Sequence, residues 1–311
     1  MLFSIIIPTY NEEKNIGKLL DQIDTYCAHY SREIIVIDCG SKDKTIFNIR
    51  ENQNKIKNLR LYEIGNAEFN HGLTRNIGVK LARGKYICFI SADISLENKN
   101  IFKHLLNDFL INKKVVAVFG KHIPYDDCSI SHKLDIICWF DKFDRYTKHH
   151  ILIQDKNKPF IPYIRDTMYL WWPLANTFTC YLKSYLLKNP FKRVDYGEDY
   201  YMGKHIIESN SIKIYDNRCL IKHSHDYTLG EYYRRLSKDF NLKYSILELK
   251  EPSNFFIKLK KIIALEISDL LKVQYLSEVT FIYIVKSIIF TKLKVELFLN
   301  HSISNAKYST H

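Results

Sequence analysis

The chain has 311 residues, of which 46% are hydrophobic and 26% charged, a mixture typical of a folded globular protein rather than a disordered one. Its 46 lysines and arginines exceed its 34 aspartates and glutamates, so the formal net charge is +12, which favours an anionic partner such as nucleotide phosphate, nucleic acid or an acidic membrane surface. The seven cysteines contain no Cys-x-x-Cys pair, which argues against a zinc ribbon or a secreted disulfide framework and favours free thiols in a reducing cytosol.

The sequence predicts a cytoplasmic location. Its start lacks a basic leader, and Pro8 followed by two glutamates interrupts the first apolar run, unlike a signal peptide. No window reaches about 18 uninterrupted apolar residues, the length that a transmembrane helix requires. We therefore expect any contact with the cytoplasmic membrane to be peripheral.

Two kinds of segment alternate in the first 120 residues. Short runs rich in Ile, Val and Phe predict strands buried on both faces of a sheet, and they are Phe3–Pro8, Ile34–Asp38, Leu59–Ile64, Tyr86–Ser91 and Val115–Gly120. Helix-like stretches separate them, at Asn15–Ala28, Asp43–Asn54, Thr74–Leu81 and Asn98–Leu110. This alternation predicts an α/β fold with an open, mostly parallel sheet flanked by helices. Ligands of such sheets bind at the carboxyl ends of strands.

The alternation is lost over residues 121–185, which are rich in aromatic residues and histidine, and a helix and a strand return near residues 195–226. From Thr228 onward the chain reads as helical, with basic and apolar residues interleaved. We therefore predict a catalytic domain over residues 1–230 and a helical extension over residues 231–311.

The extension contains an apolar stripe with lysines on its flanks, spaced as on one face of a helix; the stripe consists of Phe256, Leu259, Ile263, Ile267 and Leu270. A second apolar stretch over 279–290 is too short to span a bilayer. Basic flanks beside an apolar stripe suit an anionic membrane surface. The same pattern fits packing on the catalytic domain or a homodimer contact.

Asp38 ends the second predicted strand and is followed by Gly40 and Ser41. A carboxylate there can accept a hydrogen bond from a nucleobase N–H while the glycine turn comes close to the ligand. The alternative is that Asp38 only ends the strand. Asp43 is better explained as the cap of the next helix.

Asp93 follows the fourth apolar strand, where a carboxylate is a natural ligand for a hard cation that bridges phosphate oxygens. Just upstream, Gly72 permits a close approach, His71 and Arg75 offer donors, and the N–H groups of the following helix suit an anion. The alternative for Arg75 is a solvated helix residue.

Two further pairs of polar residues follow near the end of this region. The adjacent carboxylates Glu198 and Asp199 suit a general base with a neighbour that orients it or caps the helix. In an extended segment, His223 and His225 point to the same side, which suits binding of a metal or a phosphate. Each pair alone is weak, since acids are common at helix starts and isolated histidine pairs are incidental.

Five segments in order resemble the family 2 inverting glycosyltransferases of GT-A fold, and particularly their rhamnosyltransferase-like branch. They read IIIPTYNEEKNI, EIIVIDCGSKDKT, FNHGLTRNIGVKLARGKYICFISAD, VDYGEDYYMGKHI and IKHSHDYTLGEYYRR. The resemblance covers about residues 3–235, and the residues after 240 carry no specific match.

The resemblance implies roles for individual residues. The implied nucleotide-binding set, with Asp38 on the base, is Pro8, Thr9, Tyr10, Glu12 and Asp38. Asp93 resembles the last carboxylate of the DxD metal motif, and His225 the histidine near the metal and the diphosphate. Asp199 resembles the catalytic base of the ED motif. We assign Glu198 to the catalytic pair, and His71, Gly72 and Arg75 to the donor site.

Two departures from the usual family pattern are visible. Ser91 occupies the first carboxylate position of the DxD motif, and Cys39 replaces the second acid found in many DDGS turns. Single acids at these points are similar to the rhamnosyltransferase-like branch.

These residues lead us to expect an enzyme that transfers a sugar, with rhamnose as the best guess, from a nucleotide diphosphate to a hydroxyl of a surface glycan or lipid-linked acceptor. Mn²⁺ or Mg²⁺ held by Asp93 and His225 would offset the charge of the leaving diphosphate. The expected donor is dTDP-rhamnose or a UDP-sugar.

Alternatives are a UDP-hexose or UDP-N-acetylhexosamine donor, and a nucleotide-sugar-binding module without turnover. A nucleic-acid binder is suggested only by the charge, and the chain lacks a recognised binding motif, so we expect no nucleic-acid partner. Trp139, Trp171 and Trp172 suit either a sugar-stacking wall or buried aromatic packing.

Overall fold

The computed structural model describes residues 1–164, 167–194 and 196–225, together with residues 227, 231, 234–235, 237–239 and 242. The chain divides into two compact units, the first comprising Met1–Asp126 and Trp139–Ser224, and the second comprising Asp127–Cys138 and the residues from His225 onward. The apolar stretches near the C-terminus lie outside the described residues, so the helical extension, its membrane contact and a homodimer contact stay predictions. None of the helices within the described ranges has the length and apolar character needed to cross a bilayer.

Strands and helices alternate along the chain, as the sequence predicts. The strands are β1 Phe3–Thr9, β2 Arg32–Asp38, β3 Leu59–Glu63, β4 Tyr86–Ile90, β5 Ser95–Leu96, β6 Val115–Ile123, β7 Ile151–Gln154, β8 Phe178–Leu182 and β9 Ile212–Lys222. The helices are α1 Ile16–Tyr26, α2 Thr45–Gln53, α3 His71–Leu81, α4 Ile101–Ile111, α5 Ile130–Asp144, α6 Met168–Trp171, α7 Lys183–Lys188 and α8 Glu198–Glu208.

The strands form one sheet in the order β3-β2-β1-β4-β8-β6-β9-β5, and β7 pairs with β9. The pairs β1–β2, β2–β3, β1–β4 and β6–β9 are parallel, which confirms the α/β class and the parallel half of the sheet. The middle region adds β7 and β8, and β8 runs antiparallel between β4 and β6. The sequence did not indicate these two strands, because the chain reaches them without the regular strand–helix alternation.

The core lies between the sheet and helices that present one apolar stripe each. In α1 the buried Ile23 lies four residues after Leu19 and three after Leu20, both also buried, so the three residues share one face. They join a cluster that includes Ile5 and Val36 of the adjoining strands. This packing fixes the carboxyl ends of β1, β2 and β4, where the candidate functional residues lie.

A buried carboxylate pair joins α4 to β9. Asp108 and Asp216 are both buried, and Arg218 places Nη2 at 2.7 Å from Asp216 Oδ2 and 3.5 Å from Asp108 Oδ1. Burial, with the neighbouring carboxylate of Asp216, raises the pKa of Asp108 to about 8. One arginine thus faces two acids, an arrangement that favours the form of Asp108 that keeps its proton.

This proton makes stability depend on pH. Between pH about 4 and about 8 the folded protein keeps a proton on Asp108 that the unfolded chain releases, so the free energy of unfolding falls as the pH rises through this range. Asp108→Asn has no proton to lose and is expected to remove part of that fall. Urea unfolding at a series of pH values measures it, with Asp21→Asn at an exposed position of α1 as the control. Parallel wild-type and Asp108→Asn curves would contradict the assignment.

Candidate functional site

The loops after β1 and β2 are joined by hydrogen bonds between backbone and side chains. β1 and β2 are parallel neighbours, and Thr9 pairs with Asp38 in the register, so both strands end at the same edge. The Asn11 N–H donates to Ser41 Oγ at 2.8 Å, and Asn11 Oδ1 accepts from the Lys42 N–H at 2.9 Å. The two loops therefore form one rigid rim at the carboxyl edge of the sheet.

The rim also holds the acidic residues of both loops. The Glu12 N–H donates to Thr45 Oγ1 at 2.7 Å, and the Glu13 N–H donates to Asp43 Oδ2 at 3.1 Å. Asp43 accepts in addition from the Thr45 N–H at 3.0 Å, at the first residue of α2. The N-cap position of α2 is Lys44, so Asp43, the predicted cap, lies one residue before it and binds the first N–H of the helix from there.

Asp38 is fully buried at the end of β2 and shapes the following turn. Its Oδ1 accepts from the N–H groups of Gly40 and Ser41, both at 2.9 Å, and its Oδ2 accepts from the Ser41 hydroxyl. Gly40 adopts φ +87°, a conformation that favours glycine. The Asp38 carboxylate therefore stabilises the turn, and its contact with a nucleobase stays a prediction.

Pro8 and Thr9 are the last two residues of β1, and Tyr10 follows them in the loop. Thr9 is buried and accepts the Cys39 N–H through its carbonyl at 2.9 Å. Tyr10 is 44% exposed, so its ring is available at the rim. Thr9 therefore supports the rim, whereas Tyr10 presents a surface on which a base can stack.

Asp93 and His223 come together from two different strands. Asp93 follows β4 and His223 follows β9, and Asp93 Oδ2 lies 3.4 Å from His223 Nε2. The Tyr125 hydroxyl donates to the Asp93 carbonyl at 3.2 Å. Burial raises the pKa of Glu12, and the carboxylate of Asp93 raises it further, so Glu12 is close enough to sense the Asp93 charge.

The residues beside Asp93 fit a divalent cation. Carboxylate oxygens and an imidazole nitrogen are ligands for Mg²⁺ and Mn²⁺. Behind His223 lies the buried His122, whose Nε2 has no hydrogen-bond partner in the described part of the chain. Asp93 and His223 are therefore two side chains of the kinds that bind a divalent cation, 3.4 Å apart.

The sequence left open whether His223 or His225 is the histidine on the metal side. The structure places His223 beside Asp93. His225 belongs to the second unit, where it begins the C-terminal segment of that unit, and its role as a metal ligand stays a prediction.

The adjacent acids open helix α8. Gly197 precedes the helix with φ +81°, and Glu198 and Asp199 form its first turn, where negative charge is favourable. Asp199 Oδ1 accepts from the Tyr200 N–H at 2.8 Å. Burial lowers the pKa of Lys213 well below its usual value, while the charge of Asp199 acts to raise it, so Asp199 lies within electrostatic range of the buried β9.

Glu198 forms a buried ion pair. Glu198 Oε1 lies 2.9 Å from Arg75 Nη1, and the two residues are only 6% and 8% exposed. Asn176 Nδ2 donates to the same oxygen at 3.3 Å, and Asn176 Oδ1 accepts from the Tyr181 hydroxyl at 2.7 Å. Arg75 is therefore not a solvated helix residue, and its contact with the diphosphate stays a prediction.

Backbone N–H groups at the start of α3 also have hydrogen-bond partners within the protein. Asn70 Oδ1 accepts from the N–H groups of Gly72 and Leu73, at 3.1 and 3.2 Å, so the expected donors for an anion are already paired. A Cβ on Gly72 would lie 2.1 Å from the Lys192 carbonyl oxygen. The lack of a side chain on Gly72 thus lets the segment before α8 approach closely. His71 is exposed, and the assignment of both residues to the donor site stays a prediction.

Sequence reasoning missed Asn70 and Asn176 as supports of the site. Asn70 Nδ2 donates to the Val194 carbonyl at 3.0 Å, and Asn76 Nδ2 to the Phe191 carbonyl at 2.9 Å. Helix α3 therefore holds the segment that leads into α8. The asparagines of the FNHGLTRN motif were the available signal, but their partners lie more than 100 residues away.

Trp171 and Trp172 are buried and their indole N–H groups are paired. Trp171 Nε1 donates to the Pro162 carbonyl at 3.3 Å, and Trp172 Nε1 to the Tyr163 hydroxyl at 3.1 Å. For these two tryptophans the structure supports packing rather than a sugar-stacking wall. Trp139 is half-buried, with Lys142 Nζ 5.0 Å from its ring centroid.

The family model described as glycosyl transferase family 2 matches residues 4–166, more than half of the chain. The chain belongs to this family. Proteins with similar sequences include the O-antigen chain rhamnosyltransferase RfbN of Salmonella typhimurium, 28% identical over 239 residues that cover 76% of this chain and 70% of RfbN.

A second protein with a similar sequence is the poly(ribitol-phosphate) beta-N-acetylglucosaminyltransferase TarS of Staphylococcus aureus, 33% identical over 132 residues, or 40% of this chain and 22% of TarS. Among solved structures, the mannosyltransferase PcManGT of Pyrobaculum calidifontis, in complex with GDP-Man and Mn²⁺, superimposes with a TM-score of 0.55 at 16% identity. That alignment covers 95% of this chain and 80% of PcManGT. The expected GT-A fold is confirmed.

Proposed function

We propose that this glycosyltransferase moves a sugar from a nucleoside diphosphate donor to an acceptor hydroxyl with inversion at the anomeric carbon, and that Asp199 is its general base. The observation that carries the proposal is the link between the metal-side and base-side elements. The Ser91 N–H, after β4, donates to the Thr177 carbonyl at 2.9 Å, and the adjacent Asn176 donates to Glu198 at 3.3 Å. The loop of Asp93 and the start of α8 therefore lie at the same edge of the sheet.

Each element has a task in the reaction. The rim after β1 and β2 binds the nucleoside, with the ring of Tyr10 against the base. Asp93 and His223 would hold Mn²⁺ or Mg²⁺, which offsets the charge of the departing diphosphate; Mn²⁺ is present in the PcManGT structure. Asp199 accepts the acceptor proton while the hydroxyl oxygen bonds to the anomeric carbon, and the bond to the diphosphate breaks with its electron pair on the leaving oxygen.

The donor we propose is dTDP-rhamnose, and the acceptor is a hydroxyl of a surface glycan or of a lipid-linked glycan. The similarity to RfbN over most of the chain supports rhamnose. The similarity to TarS supports the second candidate, a UDP-N-acetylhexosamine donor, over a shorter segment. Anomer-resolved NMR of the product from each donor tests both the sugar and the inversion.

Metal dependence is the first testable consequence. We expect chelation by EDTA to abolish sugar transfer and added Mn²⁺ or Mg²⁺ to restore it. Asp93→Asn should raise the metal concentration needed for half-maximal activity at least about tenfold, because a neutral amide is a poorer ligand for a hard cation. Glu97→Gln, an exposed acid four residues further along, is the matched control. Full activity in EDTA would remove the metal from the proposed function, and donor binding without transfer or hydrolysis would favour a binding module.

A further inference from the structure

The buried histidine of β6 has no role in the function proposed above. His122 pairs in register with Ile221 of β9, and it is 7% exposed. Its Nε2 has no hydrogen-bond partner within the described residues. A buried polar atom that stays unpaired costs free energy of order 1–3 kcal/mol, so this nitrogen requires an explanation.

His122 lies next to His223, the histidine that is close to Asp93. Its ring centroid lies 5.6 Å from that of His223, and the two planes stand at 84°. The ring of Phe140 covers its other side, with 4.6 Å between centroids. The Ile123 carbonyl accepts the His223 N–H at 2.9 Å, which fixes the backbone of both histidines.

His122 therefore stands between an aromatic cluster and the residue that contacts Asp93. An apolar ring would fill this place without the cost of burying an unpaired nitrogen. Residues that orient a metal-binding histidine commonly lie in such a position and contribute through a hydrogen bond to the ligand shell.

We propose that His122 is a positioning residue of the metal site: its ring holds His223 against Asp93, and its Nε2 forms a hydrogen bond with a water of the coordination shell when a divalent cation is bound. This inference rests on the proposed function, because it presumes that Asp93 and His223 hold a cation. It adds a residue from a third strand to the site.

The test compares two substitutions that separate ring packing from hydrogen bonding. His122→Phe keeps an aromatic ring beside His223 but removes the nitrogen, whereas His122→Gln keeps a polar atom near the place of Nε2. We expect His122→Phe to weaken Mn²⁺ binding about 10- to 100-fold, and His122→Gln to recover most of the loss. Binding is followed by the electron paramagnetic resonance signal of free Mn²⁺, in the presence of UDP or dTDP.

His104→Phe is the matched control, because His104 Nδ1 is another buried nitrogen without a partner in the described structure, on a helix away from Asp93. Its Mn²⁺ affinity should equal that of the wild type, and thermal melting checks that all three variants fold. Unchanged Mn²⁺ affinity in His122→Phe would overturn this inference alone. A wild-type protein that binds no Mn²⁺ with either nucleotide, yet transfers sugar in EDTA, would overturn the proposed metal site itself.

Discussion

Asp199→Asn is expected to lower kcat at least about 100-fold, because an asparagine amide cannot take the acceptor proton. The substitution keeps the oxygen that accepts the Tyr200 N–H, so α8 should still begin at Glu198. Donor binding precedes proton transfer, and the loss should therefore appear in kcat with little change in donor affinity. Steady-state kinetics and thermal shifts with the donor measure the two effects separately.

Glu208→Gln is the control for this prediction. Glu208 lies at the opposite end of α8 and makes only a 3.8 Å ion pair with Lys204, so its substitution should change kcat less than about twofold. Near-normal turnover in Asp199→Asn would move the general base to another residue and contradict the assignment of α8.

The second large effect is expected at the ion pair between Arg75 and Glu198. Glu198→Gln leaves the buried guanidinium without a counter-charge and should lower the free energy of unfolding by about 3–5 kcal/mol. Arg75→Met leaves the carboxylate unpaired and should cost a similar amount. The double variant should lose less stability than the two single variants lose together. Each single substitution leaves one buried charge without a partner, whereas the double substitution removes both charges. Urea unfolding of the four proteins gives this coupling energy.

A surface ion pair supplies the comparison. Arg50 Nη2 lies 2.8 Å from Glu63 Oε1, but these side chains are 61% and 49% exposed, so Glu63→Gln should cost less than about 1 kcal/mol. An equally small loss in Glu198→Gln would show that the buried pair does not fix α8.

Several parts of the fold could be predicted from the sequence because their causes are local. The apolar runs of β1, β2, β3, β4 and β6 and the intervening helices were found within a few residues of their ends, since burial on both faces of a parallel strand leaves a continuous apolar run. The hydrogen bonds of the Asp38 carboxylate in the glycine turn are also local, because Gly40 and Ser41 follow it closely in the chain. The order of the motifs was sufficient for the family, which the comparison confirmed.

Other features depend on contacts between residues far apart in sequence, which the local pattern around each residue does not contain. Arg75 and Glu198 are 123 positions apart, and whether an arginine on a helix meets a phosphate or a carboxylate depends on which face packs against another element. Likewise, Asn70 caps α3 and binds the Val194 carbonyl, and β8 enters the sheet antiparallel. The sequence by itself determined the parallel strands, the polar strand ends and the family. The tertiary structure alone decided which of those polar groups pair with each other, because every buried polar atom that is left unpaired costs free energy.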